Sequence, residues 1–209
     1  MSAGQGGQGF RAGGFSSRPG TYDAASTAYN PEKVDNFELG WKAEFLNRRL
    51  RLNGAVFMMK YKDKQEEESV PTGVGTGQQT IVLNASSATI NGLELDFAAS
   101  LYRGLTLTGN LGLLDAKYDK LIDPISSTDL SSLKLRRAPR FTGTLTPSYE
   151  WVAGRVTASV QADYHYVGAE ELTFLNSPQG HNGSQQIVDA SINLGINRTR
   201  FSLYGQNLT

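Results

Sequence analysis

Two histidines, one acidic run, one basic cluster and one glycine-rich stretch are the places where residue types and spacing invite chemistry. His165 lies beside Asp163 on what reads as a polar strand face, where a solvated polar role fits it. His181 sits in a Gly/Asn-rich segment (Gly180, Asn182, Gly183) and could touch a ligand or a metal. A single loop histidine without spaced partners is not a metal site, however. Glu66-Glu67-Glu68 could steer a cationic ligand, but such a run reads first as a solvated charge run. Arg136, Arg137 and Arg140 could meet phosphates or an anionic ligand, or form a plain surface patch. The stretch Thr72-Gly73-Val74-Gly75-Thr76-Gly77 is not followed by a helical pattern and so is no phosphate loop. No catalytic residue, metal site or cofactor is assigned, ligand-binding residues stay unknown, and the chain is not expected to be an enzyme.

Composition narrows the setting. The 209 residues suggest one domain, and 20 basic against 20 acidic side chains give no electrostatic case for nucleic acid. Cysteine is absent, which agrees with an oxidising envelope. No apolar run reaches the ~18 residues of a membrane helix. The mean hydropathy of −0.35 fits strands with one apolar and one polar face. The first thirty residues are rich in Gly and Ser and lack the apolar stretch of a signal peptide.

The elements that position these residues are strands. Leu93, Leu95, Phe97, Ala99 and Leu101 alternate with Gly92, Glu94, Asp96, Ala98 and Ser100, the period of a half-buried strand. The same period marks Asn36 to Phe45, Leu105 to Leu113, Phe141 to Trp151, Val156 to Tyr166 and Val188 to Ile196, and Arg200 to Thr209 follows as the last strand. Each is about ten residues, the length of a tilted membrane-crossing strand. Leu93, Leu95, Phe97, Leu105, Leu107, Leu111, Val160, Ala162, Ile192 and Leu194 are predicted to face lipid. Leu50 to Lys62 is apolar on both sides, so its lipid face is unassigned, and Pro147 interrupts a good strand.

Connections decide the architecture. Short ones at Asn47 to Arg49, Tyr102 to Gly104, Val152 to Gly154 and Asn197 to Thr199 alternate with polar loops near Asp63 to Thr80, Asp119 to Ala138 and Gly168 to Gln185. Outer-membrane barrels have short periplasmic turns and long outer loops. Aromatic rings flank both ends: Phe45, Tyr102, Tyr149 and Trp151 near the short turns, Phe37, Tyr61, Tyr118, Tyr164 and Tyr166 near the loops. The expected fold is therefore all-β, an antiparallel transmembrane meander of about eight strands, curved and not closed. The first clear strand, Asn36 to Phe45, starts on the outer side and the last, Arg200 to Thr209, ends there, so further strands are expected on either flank.

Ordered motifs add a resemblance. Gly9-Phe10-Arg11-Ala12-Gly13-Gly14-Phe15, Tyr29-Asn30-Pro31-Glu32 with Asn36-Phe37-Glu38-Leu39-Gly40-Trp41-Lys42, Asn84-Ala85 with Ala88 and Asn91-Gly92-Leu93-Glu94, Ala138-Pro139 and Tyr204-Gly205-Gln206-Asn207-Leu208-Thr209 follow one another. Together they resemble the C-terminal part of the β-barrel of TonB-dependent outer-membrane receptors. The resemblance implies a strand end and extracellular loop over 1–33 and partial barrel over 34–209, within a barrel of about 22 strands. It also implies import of a scarce nutrient such as a ferric siderophore, contact with outer-membrane lipid and lipopolysaccharide, and a TonB-type energy-coupling protein acting through a plug. Plug and coupling box are absent from this sequence. Two other readings stay open: a self-contained eight-stranded structural or adhesion barrel, and a soluble β-sandwich binding module.

Overall fold

Alternating side chains bury one face only if the backbone is pleated, and its N–H and C=O groups then need neighbouring strands. The computed structural model describes residues 2–72, 75, 77–123 and 126–209, and in it the strands find those neighbours almost entirely in sequence order. Gly73, Val74 and Thr76 of the glycine-rich run, and Pro124 and Ile125 of the second long loop, lie outside the described residues.

The elements run β1 (Ser2–Arg11), β2 (Gly14–Phe15), α1 (Tyr22–Ser26), β3 (Ala28–Tyr29), β4 (Glu32–Phe45), β5 (Leu50–Pro71) and β6 (Gln78–Tyr102). They continue β7 (Leu105–Leu121), β8 (Phe141–Ala153), β9 (Val156–Val167), β10 (Glu170–Glu171), a 3-10 turn (Pro178–Gly180), β11 (His181–Asn182), β12 (Gln185–Ile196) and β13 (Thr199–Gly205). Nine strands form one antiparallel sheet in the order β1-β4-β5-β6-β7-β8-β9-β12-β13, with β2-β3 and β10-β11 as small separate pairs. The sheet does not close: β4 bonds to β1 and β5, and β13 bonds to β12. Asn207 and Leu208 nevertheless fold back along β12, donating to Asp189 Oδ1 at 2.8 Å and Val188 O at 2.9 Å.

Strand number and length depart from the periodicity reading. The ninth strand is β1, whose Gly- and Gln-rich sequence carries no apolar alternation and is held by a register running from Ser2↔Trp41 to Arg11↔Glu32. β5 and β6 span 22 and 25 residues, so most of 63–80 is a continuing hairpin and not a loop. Pro71 still pairs with Gln78. Backbone pairing carries these outer rungs on through a polar sequence that has no apolar alternation to announce it. Pro147 behaves as its missing N–H requires. It faces Leu107 on β7, while on the other side the β8–β9 pairing passes over Thr146 and Pro147 and resumes in unchanged register at Ser148↔Gln161.

Cross-strand register assigns the faces. Leu93 lies opposite Leu113, Leu95 opposite Leu111, Leu105 opposite Tyr149, Val160 opposite Ile192 and Leu194 opposite Ala158. All ten residues predicted to face lipid share this side. So do Leu50, Leu52, Val56 and Met58, which settles the ambiguous segment. Many large side chains there are exposed, including Leu39, Leu145, Ile192 and Leu203. Rings fill the notches left by glycine: Trp41 covers Gly54, and Phe97 covers Gly109.

The short turns are tight. Arg103–Gly104, Gly154–Arg155 and Asn197–Arg198 each join paired strand ends, with positive φ at Gly104 (77°), Gly154 (62°) and Asn197 (54°). A Cβ at Gly104 would also collide with the Glu150 carbonyl, whereas Gly154 has open space. Gly104→Ala should therefore cost more than the ~1–3 kcal/mol of backbone strain alone. Gly154→Ala should show that strain only. Urea midpoints of the two variants refolded in lipid vesicles test this; equal midpoints would refute the steric contribution.

Candidate functional site

The side of the sheet opposite the apolar face is a polar wall. Glu38, Lys42, Asn53, Glu94, Asp96 and Asn110 line a trough of about 750 Å³ on it. Short side chains one strand apart bond across the ladder. Asn53 Nδ2 donates to Asp96 Oδ1 (2.9 Å), Asn110 Nδ2 to Thr144 Oγ1 (2.7 Å) and Thr146 Oγ1 to Asp163 Oδ1 (2.7 Å). Asp163 also accepts from Gln161 Nε2 at 2.9 Å. His165 stands on this wall, opposite Thr144 on one neighbour and Ile187 on the other.

Above the wall, at the long-loop end, the alternation is reset. Asp63 takes a positive φ of 52°, and the β5–β6 register shifts on either side of Lys64. One extra residue reverses which side chains point inward. Glu66, Glu68 and Val70 are buried as a result, while Gln65 is buried on the other face, its Nε2 donating to Ala12 O (2.9 Å) and Asn30 O (3.0 Å). This overturns the expectation of a solvated acidic run for Glu66, which is 1% exposed, and for Glu68, while Glu67 stays exposed. Its carboxylate accepts from Tyr118 Oη (2.8 Å) and pairs with Arg136 Nη2 (2.8 Å) and with Lys64 Nζ. Burial alone would raise its pKa, but Lys64, Tyr118 and Arg136 together hold it below the usual carboxylate range. The Tyr118 hydroxyl is pushed well up by burial and by the Glu66 charge, and stays protonated.

Around this carboxylate lies the molecule's small apolar core: Ala88, Tyr118, Leu121, Leu135 and Phe174, with Tyr61, Ile90, Leu130, Leu133 and Ala138 packed against it. Leu130 to Leu135 and Phe174 come from the two later loops, which therefore fold down as a cap. The loops are stitched together. Lys134 N donates to Asn176 Oδ1 (2.7 Å), Asn176 Nδ2 returns to Lys134 O (3.0 Å), and Arg137 N donates to Glu171 O (2.9 Å). His181 Nδ1 lies 3.0 Å from Glu171 Oε1, with Lys134 Nζ 3.3 Å from the same oxygen. No group of three or more His, Cys, Asp or Glu suited to a metal occurs among the described residues.

Of the basic cluster, Arg136 is an internal partner of Glu66, not a plain surface patch. Arg137 enters through its backbone, and the Arg140 carbonyl accepts from Leu114 N at 2.9 Å. The early motifs prove to be clamps. Asn84 Oδ1 accepts from Asn30 N at 2.5 Å, and Asn84 Nδ2 donates to Asn30 O (2.9 Å) and Asp63 O (2.7 Å). Gln65 N donates to Glu32 Oε2 at 2.7 Å, tying the same segment to the reset hairpin. The cap was hidden from periodicity, though four leucines within a supposedly polar loop (Leu121, Leu130, Leu133, Leu135) are a usable signal.

The model of the family described as "TonB dependent receptor-like, beta-barrel" matches residues 3–208. This chain belongs to that family. TonB-dependent receptors are outer-membrane barrels of Gram-negative bacteria, and they are transport receptors, not enzymes. A curated relative, the metal-pseudopaline receptor CntO of Pseudomonas aeruginosa, is 30% identical over 153 residues, covering 71% of this chain. The chain spans 20% of that relative's length. Among solved structures, the ferric yersiniabactin uptake receptor FyuA of Yersinia pestis superposes with a TM-score of 0.74 at 19% identity, over 99% of this chain and 29% of that one. The ferric preacinetobactin receptor BauA of Acinetobacter baumannii gives 0.68 at 14% identity, covering 99% and 29%. The copper transporter OprC gives 0.65 at 16% identity, covering 99% and 31%. At these identities the structural likeness speaks for the fold alone.

Proposed function

We propose that this chain forms part of the wall and outer cap of a receptor importing a metal chelate of the siderophore class, driven from the inner membrane through a TonB-type protein and a plug. The observation that carries the reading is the cap held over the polar wall by Glu66, within the receptor family. Residues 34–209 serve as barrel, and 1–33 supply its first strand in this sheet, β1, and the outer loop that follows it. In lipid the free edges of β1 and β13 need covering by further strands, consistent with a barrel of about 22. The apolar face meets acyl chains, and lipopolysaccharide surrounds the loop end.

The self-contained eight-stranded barrel finds no support in a nine-stranded sheet whose outer strands do not meet. Loops carried on a rigid scaffold are the usual way such surfaces engage ligands. Deleting residues 126–134 from the full-length receptor should lower chelate uptake at least several-fold while barrel assembly, read by heat-modifiable gel mobility, stays normal. Unchanged uptake of every ferric, copper or nickel chelate tried, or uptake that persists without the inner-membrane energy source, would refute the proposal.

A further inference from the structure

The short-turn end of this chain is rich in arginine and nearly free of lysine, whereas the loop end holds both. Of twelve arginines, seven (Arg48, Arg49, Arg51, Arg103, Arg155, Arg198 and Arg200) lie in or within two residues of the short turns. Seven of the eight lysines (Lys33, Lys60, Lys62, Lys64, Lys117, Lys120 and Lys134) lie in the loop half instead. Every short turn carries an exposed arginine: Arg48, Arg103, Arg155 and Arg198. Acidic side chains in this rim are Glu44, which pairs with Arg48 at 3.3 Å, and Glu150. Arg49 is committed to the carbonyls of Ser100 (3.1 Å) and Leu101 (2.6 Å).

Hairpins in this sheet are two strands apart, so adjacent turns are about 10 Å from one another. Successive turns thus each bring an arginine to the rim at the spacing of the hairpins. Just above it, on the apolar face, lie Phe45, Tyr102 and the stacked pair Tyr149–Trp151 (centroids 5.4 Å apart). Aromatic rings of this kind settle at the headgroup level of a bilayer. A planar fork that grips phosphate through two parallel hydrogen bonds suits that level, where a lysine offers only a point charge.

We propose that the short-turn rim is a phosphate-binding belt for phospholipid headgroups of the periplasmic leaflet, with Arg103, Arg155 and Arg198 as its free arms. The proposal rests on the sidedness of the receptor reading, in which short turns face the periplasm. Its occupant is lipid, because the rim is continuous with the apolar face and its aromatic girdle, which a soluble acidic protein would not need.

The test uses the full-length receptor in nanodiscs of phosphatidylethanolamine with phosphatidylglycerol, released into detergent, with retained phospholipid counted by native mass spectrometry. The triple variant Arg103→Gln, Arg155→Gln, Arg198→Gln should retain at least threefold less phospholipid than wild type. A control triple, Lys60→Gln, Lys62→Gln, Lys117→Gln, removes the same charge from the other end and should retain the wild-type amount. Equal retention by wild type and arginine variant, or equal loss in both variants, overturns the belt. Sidedness is read separately. These 209 residues hold no cysteine, and in a full-length receptor with any cysteine elsewhere replaced by serine, Ser126→Cys should react with an impermeant maleimide on intact cells and Arg155→Cys should not. The reverse pattern would refute the receptor's orientation, whatever the lipid count.

Discussion

Replacing Glu66 by alanine should release the loop cap while leaving the barrel wall in place. The carboxylate is the shared acceptor of Lys64, Tyr118 and Arg136, from three different segments of chain, and is 1% exposed. Removing one member of a buried, hydrogen-bonded ion pair typically costs ~3–5 kcal/mol, because the remaining charges lose their partner without regaining water. That cost falls on the cap, which is otherwise held by its small apolar core and by bonds to the end of β7 such as Leu130 N to Leu121 O (2.8 Å). Glu66→Gln should cost less, since the amide oxygen still accepts from Tyr118. Amides of residues 126–140 should exchange hydrogen much faster in the alanine variant than in wild type, while those of β7 and β8 stay protected. Unchanged exchange in the cap would remove Glu66 from its proposed role.

The same carboxylate predicts a pH response. Its folded pKa is depressed, so its stabilisation is fully present above the unfolded value, about 4.3 for Glu, and is lost as pH falls through the lower folded value. Cap exchange should therefore accelerate below about pH 4 in wild type and show no such step in Glu66→Gln. A step of equal size in both would assign the acid response to another group.

Leu95→Arg should be the most damaging single change in the wall itself. Leu95 lies mid-strand on the apolar face, opposite Gly54 on one side and Leu111 on the other, and its side chain helps fill the notch at Gly54. An arginine at the bilayer midplane costs ~2–4 kcal/mol, falling toward the interfaces. Its neighbour Asp96 points to the polar wall, so Asp96→Asn should cost little and even keep the bond to Asn53. Urea titration in vesicles of matched thickness would separate them. Equal destabilisation would mean that the two faces do not differ in environment.

Much was determined by the sequence alone. A period of two, strict from Leu93 to Leu101 and from Val156 to Tyr166, dictates strands whose two faces differ, because successive side chains must point oppositely. Connections of only a few residues at Tyr102 to Gly104 and Val152 to Gly154 leave a strand no partner but the next one, so the meander follows. Only the tertiary structure decided where that logic is interrupted. β1 carries no periodic signal, since glycine has no side chain to place, and its position comes from hydrogen bonds to β4. The bulge at Asp63 turns Glu66 inward, and one inserted residue is enough to invert every face beyond it. Arg136 and Phe174 are far from Glu66 and Ala88 in sequence and meet them only because two loops fold back over the strand ends. Local alternation encodes strands and their faces; burial at the cap depends on long-range closure, which no local pattern records.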